Sequence, residues 1–346
     1  MDGQGETASV AKLLPGEIDR VVDLCFQCKL CYPKCPYTPA EGHAFDLDFP
    51  RLMLRARAVR VRRFGISLTD WFLGRTDLIG RVATRISFLF NALLKIKLNR
   101  WAMQWTIGFH HARALPTYAS RTFASWWVRR AARTRADGPA AGEHAVLFHT
   151  CSVNYNDPSV GEDCVAVLEH AGVHVACPKQ VCCGMPFMDG GEIESARRNA
   201  RANIAVLAPY AREGWPILSP GPTCTHMLRD EYPLLVPGPD AELVARMTHD
   251  IGEYLTGLAR AKKLPREFPG EKPARITYQV PCHLRAQNMP KGNRELLALT
   301  GADVTVVPRC SAIDGTWGLK AEFFHESKKI ASKLLDEVRE ARGKYP

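Results

Sequence analysis

The 346-residue chain contains no uncharged apolar run near the ~20 residues needed to cross a bilayer. The longest candidate, ISFLFNALL at 86–94, is closed off by Arg85 and Lys95, so a spanning helix is not expected. The first residues, MDGQGETASVAKLLPGE, are polar and acidic without an apolar centre, which argues against a signal peptide and for a cytoplasmic setting. No Gly-x-Gly-x-x-Gly follows a strand pattern and no Gly-Lys-Ser/Thr phosphate loop occurs, so this chain itself is expected to bind neither flavin nor NAD. Acidic residues are scarce in one stretch. Across 51–135, 18 Lys and Arg meet only Asp70 and Asp77, and 18 − 2 gives a local charge of +16. The whole chain carries +10, so everything else sums to −6. Nucleic acid is not the expected partner of that charge, because no recognition motif accompanies it.

Cysteine, by contrast, is plentiful, with 12 in the chain. In a reducing compartment clustered cysteines are metal ligands more often than disulfides. LCFQCKLCYPKCP spaces four of them as Cys25-x2-Cys28-x2-Cys31-x3-Cys35, followed by Pro36. These intervals match the bacterial ferredoxin run, whose thiolates wrap one 4Fe–4S cube. Zinc is the alternative, although zinc sites usually draw their ligands from two separated pairs. In two-cluster ferredoxins the fourth cysteine of such a run serves the other cluster. No second run is present, so Cys35 is expected to complete its own cluster.

The grammar of the chain changes along its length. PGEIDRVVDL reads as a helix delivering Cys25, 51–135 reads as basic, aromatic helices holding five of the seven tryptophans, and 133–144 reads as a linker. Beyond it the pattern is α/β: AVLFH is a buried strand ending near Cys151, VHVAC alternates as a second, and PILSPGPTC is a third ending at Cys224. Cysteines therefore fall just past strand ends, the edge of an α/β sheet where sites are usually built. ITYQVPC then repeats VLFHTC, with Cys282 in the place of Cys151, and GADVTVVPRCSAIDG repeats the stretch around Cys182, with Cys310 in its place. The expected fold is mixed α/β. A small helical ferredoxin-like domain (1–50) and a basic helical segment (51–143) precede two duplicated α/β halves, 144–270 and 271–346.

Adjacent cysteines at 182–183 followed by Gly184 are unusual, because a turn is needed to bring neighbouring thiolates to one group. Cys151 and Cys224 would complete four sulfur ligands. Buried structural cysteine is the other reading, and it suits Cys164 and Cys177, which share apolar faces with Val160, Leu168, Val173 and Val175. His149, His226 and His283 lie near cysteines in the sequence and are expected to hydrogen-bond cluster sulfur rather than ligate metal.

The segment CSVNYNDPSVGEDCVAVLEHAGVHVACPKQVCCGMPFMDGG, with PTCTHMLRDEYP, VPCH and DGTWGLK, resembles the paired cysteine-rich CCG domains found in the C subunit of anaerobic glycerol-3-phosphate dehydrogenase, the B subunit of heterodisulfide reductase, and the iron–sulfur subunits of glycolate or lactate oxidase. The resemblance implies an electron-transfer subunit rather than the substrate-oxidising one. A flavoprotein dehydrogenase would be its partner and a quinone or similar acceptor its outlet. It also implies a second cluster, non-cubane 4Fe–4S in the heterodisulfide reductase branch, on Cys151, Cys182, Cys183 and Cys224. Disulfide reduction at that cluster and a zinc-stabilised scaffold are the alternatives. The chain departs from the pattern in three places: it has one ferredoxin run, Gly221 stands three before Cys224 where that branch has cysteine, and Cys310-Ser311-Ala312 replaces the second Cys-Cys-Gly. Cys282 and Cys310 alone cannot hold a four-iron group, so their site is expected to be vacant, zinc-bound or shared across the halves. Finally, Phe88, Leu89, Leu93 and Ile96 set against Arg85, Lys95, Lys97 and Arg100 read as an interfacial helix. Residues 51–135 are thus expected to meet a membrane surface or a membrane-bound partner, with the protein peripheral on the inner face of the cytoplasmic membrane.

Overall fold

The computed structural model describes residues 14–130, 137–265, 267, 271–289, 292–313 and 316–343. The polar lead-in before Leu14, residues 133–136 of the expected linker (Arg133 and Arg135 included), and Asp314 and Gly315 of DGTWGLK lie outside them.

The mixed α/β expectation holds. Strands β1 (His144–Leu147), β2 (His174–Ala176), β3 (Ile217–Ser219) and β4 (Thr248–Asp250) form an all-parallel sheet in the order β2-β1-β3-β4. Parallel sheets carry helices on both faces, which is why these strands read as apolar runs instead of alternating with polar residues. Period-two geometry sends Val146, Phe148 and Ile217 into one core and Ala145, Leu147 and Leu218 into the other. Strand β4 was not anticipated: Thr248-His249-Asp250 is short and polar, and it pairs because Ile217–Ser219 offers it a free edge. Two further strands, β5 (Arg275–Gln279) and β6 (Asp303–Val307), pair in parallel with Arg275 opposite Asp303. That arrangement parallels the β1–β2 pair, where His144 stands opposite His174.

Most of the basic stretch is packed rather than presented. Helices Phe49–Phe64, Leu68–Gly74, Thr76–Arg85 and Phe123–Arg129 lie against the four-stranded unit, giving Leu54 to one core and Phe123 to the other. Glycines set the closeness: a Cβ on Gly74 would lie 2.6 Å from Phe187 Cδ1, and one on Gly80 would lie 2.4 Å from Tyr155 Cγ. The arginines pair with the acids carried elsewhere. Arg75 grips Glu192 with two hydrogen bonds of 2.9 and 3.1 Å, and Arg130 grips Glu169 with two of 3.0 and 2.8 Å. Arg60 pairs with Asp23 and Arg121 with Glu162.

The reading of 51–135 as one surface-seeking segment is corrected accordingly. Trp71 lies under the Arg75 guanidinium, and Trp126 and Trp127 pack on the core around Phe123. Arg100 is not on a basic face either: it is 8% exposed and donates to the carbonyls of His110, His111 and Arg113. What stands clear is narrower. Helices Ser87–Lys95 and Lys97–Thr106 leave Phe88 91%, Leu98 76% and Trp105 81% exposed, far more than isolated surface apolar residues require. Among the described residues no helix is long and apolar enough to cross a membrane.

The glycine contact gives a direct check of the docking. Gly80→Ala forces a methyl into the buried Tyr155 ring, and overpacking of this kind costs about 1–3 kcal/mol. The expected outcome is a lower denaturant midpoint with unchanged far-UV circular dichroism at zero denaturant; an unchanged midpoint would show that the helix can slide without loss.

Candidate functional site

The first group of cysteines begins where helix Pro15–Leu24 ends, with Cys25 as its C-cap. Gln27 (φ 53°) and Lys29 (φ 61°) flank Cys28 in the left-handed region, a conformation a few per cent of non-glycine residues adopt and one that winds the loop tightly. The Tyr32–Lys34 turn, closed by Cys35 N–H donating to Tyr32 O at 3.1 Å, brings Cys35 back. Cys31 lies beside Cys25 and Cys35: burial first, then those neighbouring sulfurs, push its thiol pKa up. The loop is held from several sides. Gln27 Nε2 donates to Cys25 Sγ at 3.3 Å and to Pro50 O at 3.2 Å, and the Arg57 guanidinium donates to the carbonyls of Val22 and Cys25.

The second group gathers at the carboxyl ends of β1, β2 and β3. Cys151 opens helix Cys151–Tyr155, directly after Thr150, whose φ of 63° is an outlier for a β-branched residue and marks local strain. Cys182 and Cys183 occupy the turn after β2, and Gly184 leaves it at φ 96°, where a Cβ would press to 3.3 Å on the Ala196 backbone. Cys224 sits in helix Pro222–His226 after β3. Cys182 contacts Cys151 and Cys183, and Cys183 contacts Cys224. The neighbouring Cys151 and Cys183 thiols favour Cys182 as thiolate, while their own pKa values are pushed up by Cys182 and by burial. Four cysteines from a 74-residue span therefore meet in one place, with Cys182, Cys183 and Cys224 buried and Cys151 half-buried.

Four side chains that the sequence reading passed over hold this turn. Asp77 Oδ2 accepts from Cys182 N–H at 2.7 Å. Asn203 accepts from Val181 N–H and donates to Val181 O at 3.1 Å, while Asn199 donates to Cys182 O at 3.0 Å. The Tyr232 hydroxyl donates to Cys183 O at 3.0 Å and accepts from Asn203. Two asparagines four apart on the helix after Cys-Cys-Gly were the legible signal, since polar residues on a buried helical face need partners. Position 221 also borders the sulfurs, because a Cβ there would stand 3.8 Å from Cys224 Sγ. Cys164 and Cys177 pack against the Phe123 core, and burial lifts each thiol to about 12.

The two groups are bridged. Lys29, beside Cys28, forms a buried ion pair with Glu231 at 3.1 Å, and Glu231 also faces His226 and Arg51. His283, next to Cys282, reaches Gln27 O with Nε2 at 3.0 Å and Thr223 Oγ1 with Nδ1 at 2.9 Å. The histidine expectation is corrected here. His226 lies between Asp230 and Glu231, His283 between Gln27 and Thr223, and His149 Nδ1 against Thr150 O, so these nitrogens face oxygen rather than sulfur.

In the second half, Cys282 and Cys310 Sγ lie 3.8 Å apart, and Ala312 N–H donates to Cys310 Sγ at 3.2 Å. Among the described residues no three His, Cys, Asp or Glu side chains are grouped to hold a metal ion. In a cluster each thiolate binds its own iron, so the fit is judged for a multi-iron group. The Cys151, Cys182, Cys183 and Cys224 set supplies four soft sulfurs, and the one carboxylate beside them, Asp77, is taken up by the Cys182 amide, a donor set that suits iron–sulfur binding.

A parallel α/β sheet with thiols collected at its carboxyl edge and a tight four-cysteine loop docked beside it defines a cysteine-rich redox-type protein. A family model described as CCG, cysteine-rich domain, matches residues 145–229. The chain is 30% identical over 300 residues to the C subunit of the anaerobic glycerol-3-phosphate dehydrogenase of Escherichia coli K12, covering 86% of this chain and 74% of that one. It is 30% identical over 187 residues to lactate utilization protein A of an Exiguobacterium species, covering 51% of this chain and 74% of that one. It is 32% identical over 163 residues to an uncharacterized iron-sulfur protein of Methanocaldococcus jannaschii, covering 46% of this chain and 30% of that one. No solved structure matches. The chain belongs to the CCG-domain iron–sulfur protein family that includes the C subunit of anaerobic glycerol-3-phosphate dehydrogenase.

The bridge carries its own prediction. Burial would raise the Glu231 carboxyl pKa, but His226, Lys29 and Arg51 outweigh it and hold the group well below its ordinary range. Glu231→Gln strands a buried ammonium and is expected to cost about 3–5 kcal/mol near neutral pH. A depressed carboxylate contributes stability above its unfolded pKa and loses it as pH falls. The gap between wild type and variant in thermal melts should therefore narrow below about pH 4.5; a constant gap would mean that the pair contributes nothing electrostatic.

Proposed function

We propose that the protein is the iron–sulfur electron-transfer subunit of an oxidoreductase complex. Its flavoprotein partner would oxidise the substrate, and its electrons would leave toward a quinone or similar acceptor. The observation that carries the reading is the bridge: the loop of Cys25, Cys28, Cys31 and Cys35 is tied through Lys29–Glu231 and Gln27–His283–Thr223 to the elements that hold Cys224. In this reading the loop holds a 4Fe–4S cube, and Cys151, Cys182, Cys183 and Cys224 hold a second cluster, of the non-cubane kind. Bound clusters supply one-electron carriers. The chain's own part is to fix the thiolates, to hold the two loops in register, and to exclude water with Met185, Met188 and Met227 around the second group. Burial of the second group and the hydrogen bond that Gln27 Nε2 gives to Cys25 sulfur are the levers on potential.

A membrane location follows from the same proposal, now confined to the helices at 87–106. Phe88, Leu89, Leu98, Trp101 and Trp105 form the apolar side, and exposed Arg85, Lys95 and Lys97 flank them. Lys and Arg near an anionic surface are worth about 1 kcal/mol each, and aromatic side chains settle at headgroup depth. Docked there, on the inner face of the cytoplasmic membrane, the cysteine sites would lie near a quinone pool.

Iron and sulfide analysis of anaerobically purified protein tests the first part. Cys28→Ala should abolish one reduced-state EPR signal and Cys183→Ser the iron of the other site. Full iron content in both variants would leave the cysteines structural.

Flotation with anionic liposomes tests the second part. Wild type should rise at low salt and less at high salt, and Phe88→Ser with Trp105→Ser should sink with its melting point intact. Equal flotation of that variant would remove these helices from the account.

A further inference from the structure

We propose that Cys282 and Cys310 form a reversible dithiol–disulfide pair that exchanges with low-molecular-weight disulfides. Their sulfurs lie 3.8 Å apart, so closing the bond requires an approach of under about 2 Å to reach a normal S–S length. Both are partly exposed, unlike the enclosed Cys182 and Cys183. Each follows a strand of one parallel pair, β5 and β6, and this places the two loops side by side. Cys282 has little freedom to swing away, because its neighbour His283 is pinned at both ring nitrogens, to Gln27 O and Thr223 Oγ1. Cys310 is the better nucleophile by position. The Ala312 N–H points at its sulfur from 3.2 Å, and Arg285, which donates to Pro308 O at 3.1 Å, lies nearby. Two thiols cannot complete a four-iron site, and Ser311 and Ala312 supply none of the missing sulfur.

The chemistry closes without further reagents. The Cys310 thiolate attacks one sulfur of glutathione disulfide, forming a mixed disulfide and releasing one glutathione thiolate. The Cys282 thiolate then attacks Cys310 Sγ and releases the second. Two protein thiols are oxidised to one disulfide, one glutathione disulfide is reduced to two glutathione molecules, and the two thiol protons pass to the leaving thiolates.

Trypsin isolates the pair, because Arg275, Arg285, Arg309 and Lys320 bound the peptides 276–285 and 310–320, each with one cysteine. Anaerobically purified full-length protein is incubated with glutathione disulfide, its free thiols are alkylated, and the digest is analysed by mass spectrometry. The expected result is one linked species, two hydrogens lighter than the separate peptides, in most molecules, returning to two alkylated peptides after dithiothreitol. Cys282→Ser should trap glutathione on Cys310, while Cys310→Ser should leave Cys282 open to alkylation. Two alkylated peptides from oxidised wild type would overturn the proposal. So would peptides that resist both alkylation and linkage until a chelator is added, since that result means a metal-bound pair.

Discussion

The structure turns on a buried turn that carries two adjacent cysteines. A turn taken out of water leaves peptide groups that must find partners, at a cost of about 1–3 kcal/mol for each one left unpaired. Here the partners come from three directions: Asn199 and Asn203 from the following helix, Tyr232 from beyond Cys224, and Asp77 from the basic segment. Because these residues are distant in sequence, the turn cannot take its shape until the parts that supply them are docked. Cysteine geometry and the assembly of the chain are in that sense one problem.

This constraint explains why the basic segment is built as it is. Of its two acids, Asp77 reaches the Cys182 amide and Asp70 pairs with Lys320 at 2.7 Å, so both are anchors. The close glycine contacts at 74 and 80 let the backbone come near enough for Asp77 to reach the Cys182 amide. Arginine is suited to the remaining contacts, since its planar fork matches Glu192 and Glu169 two bonds at a time. The charge asymmetry of the sequence is thus largely an internal complementarity, and the exposed apolar surface is restricted to the helices that stand off the sheet.

Much of this was legible beforehand where local pattern and tertiary context agree. The strand runs at 144–147, 174–176 and 217–219, the helix at 193–212, and the strands at 275–279 and 303–307 all follow from periodicity. The burial of Cys164 and Cys177 follows from their apolar neighbours. Other features were not legible, because they depend on distant partners. Nothing local marks Arg100 as the collector of three carbonyls, and Lys29 looks like any loop lysine until Glu231 is brought beside it. The histidines misled for the same reason, since adjacency to cysteine in sequence does not place a ring nitrogen on sulfur.

The second half shows how a fold element can matter without a full set of ligands. Its strand pair and the two loops that follow place His283 on Gln27 O, while Trp317 donates to Asp23 O at 2.8 Å and packs at a tilt on Phe26, ring centroids 5.0 Å apart. Those are backbone atoms and a ring of the segment that carries Cys25 and Cys28. Removing the half would expose these groups to water and free a loop that already holds two non-glycine residues at positive φ. Strain of that kind, about 1–3 kcal/mol per residue, persists only where surrounding contacts over-determine the conformation. This C-terminal unit therefore serves as one wall of the Cys25–Cys35 loop, and His283 joins that wall to the helix of Cys224, so the loop and the Cys224 helix are held in register through it.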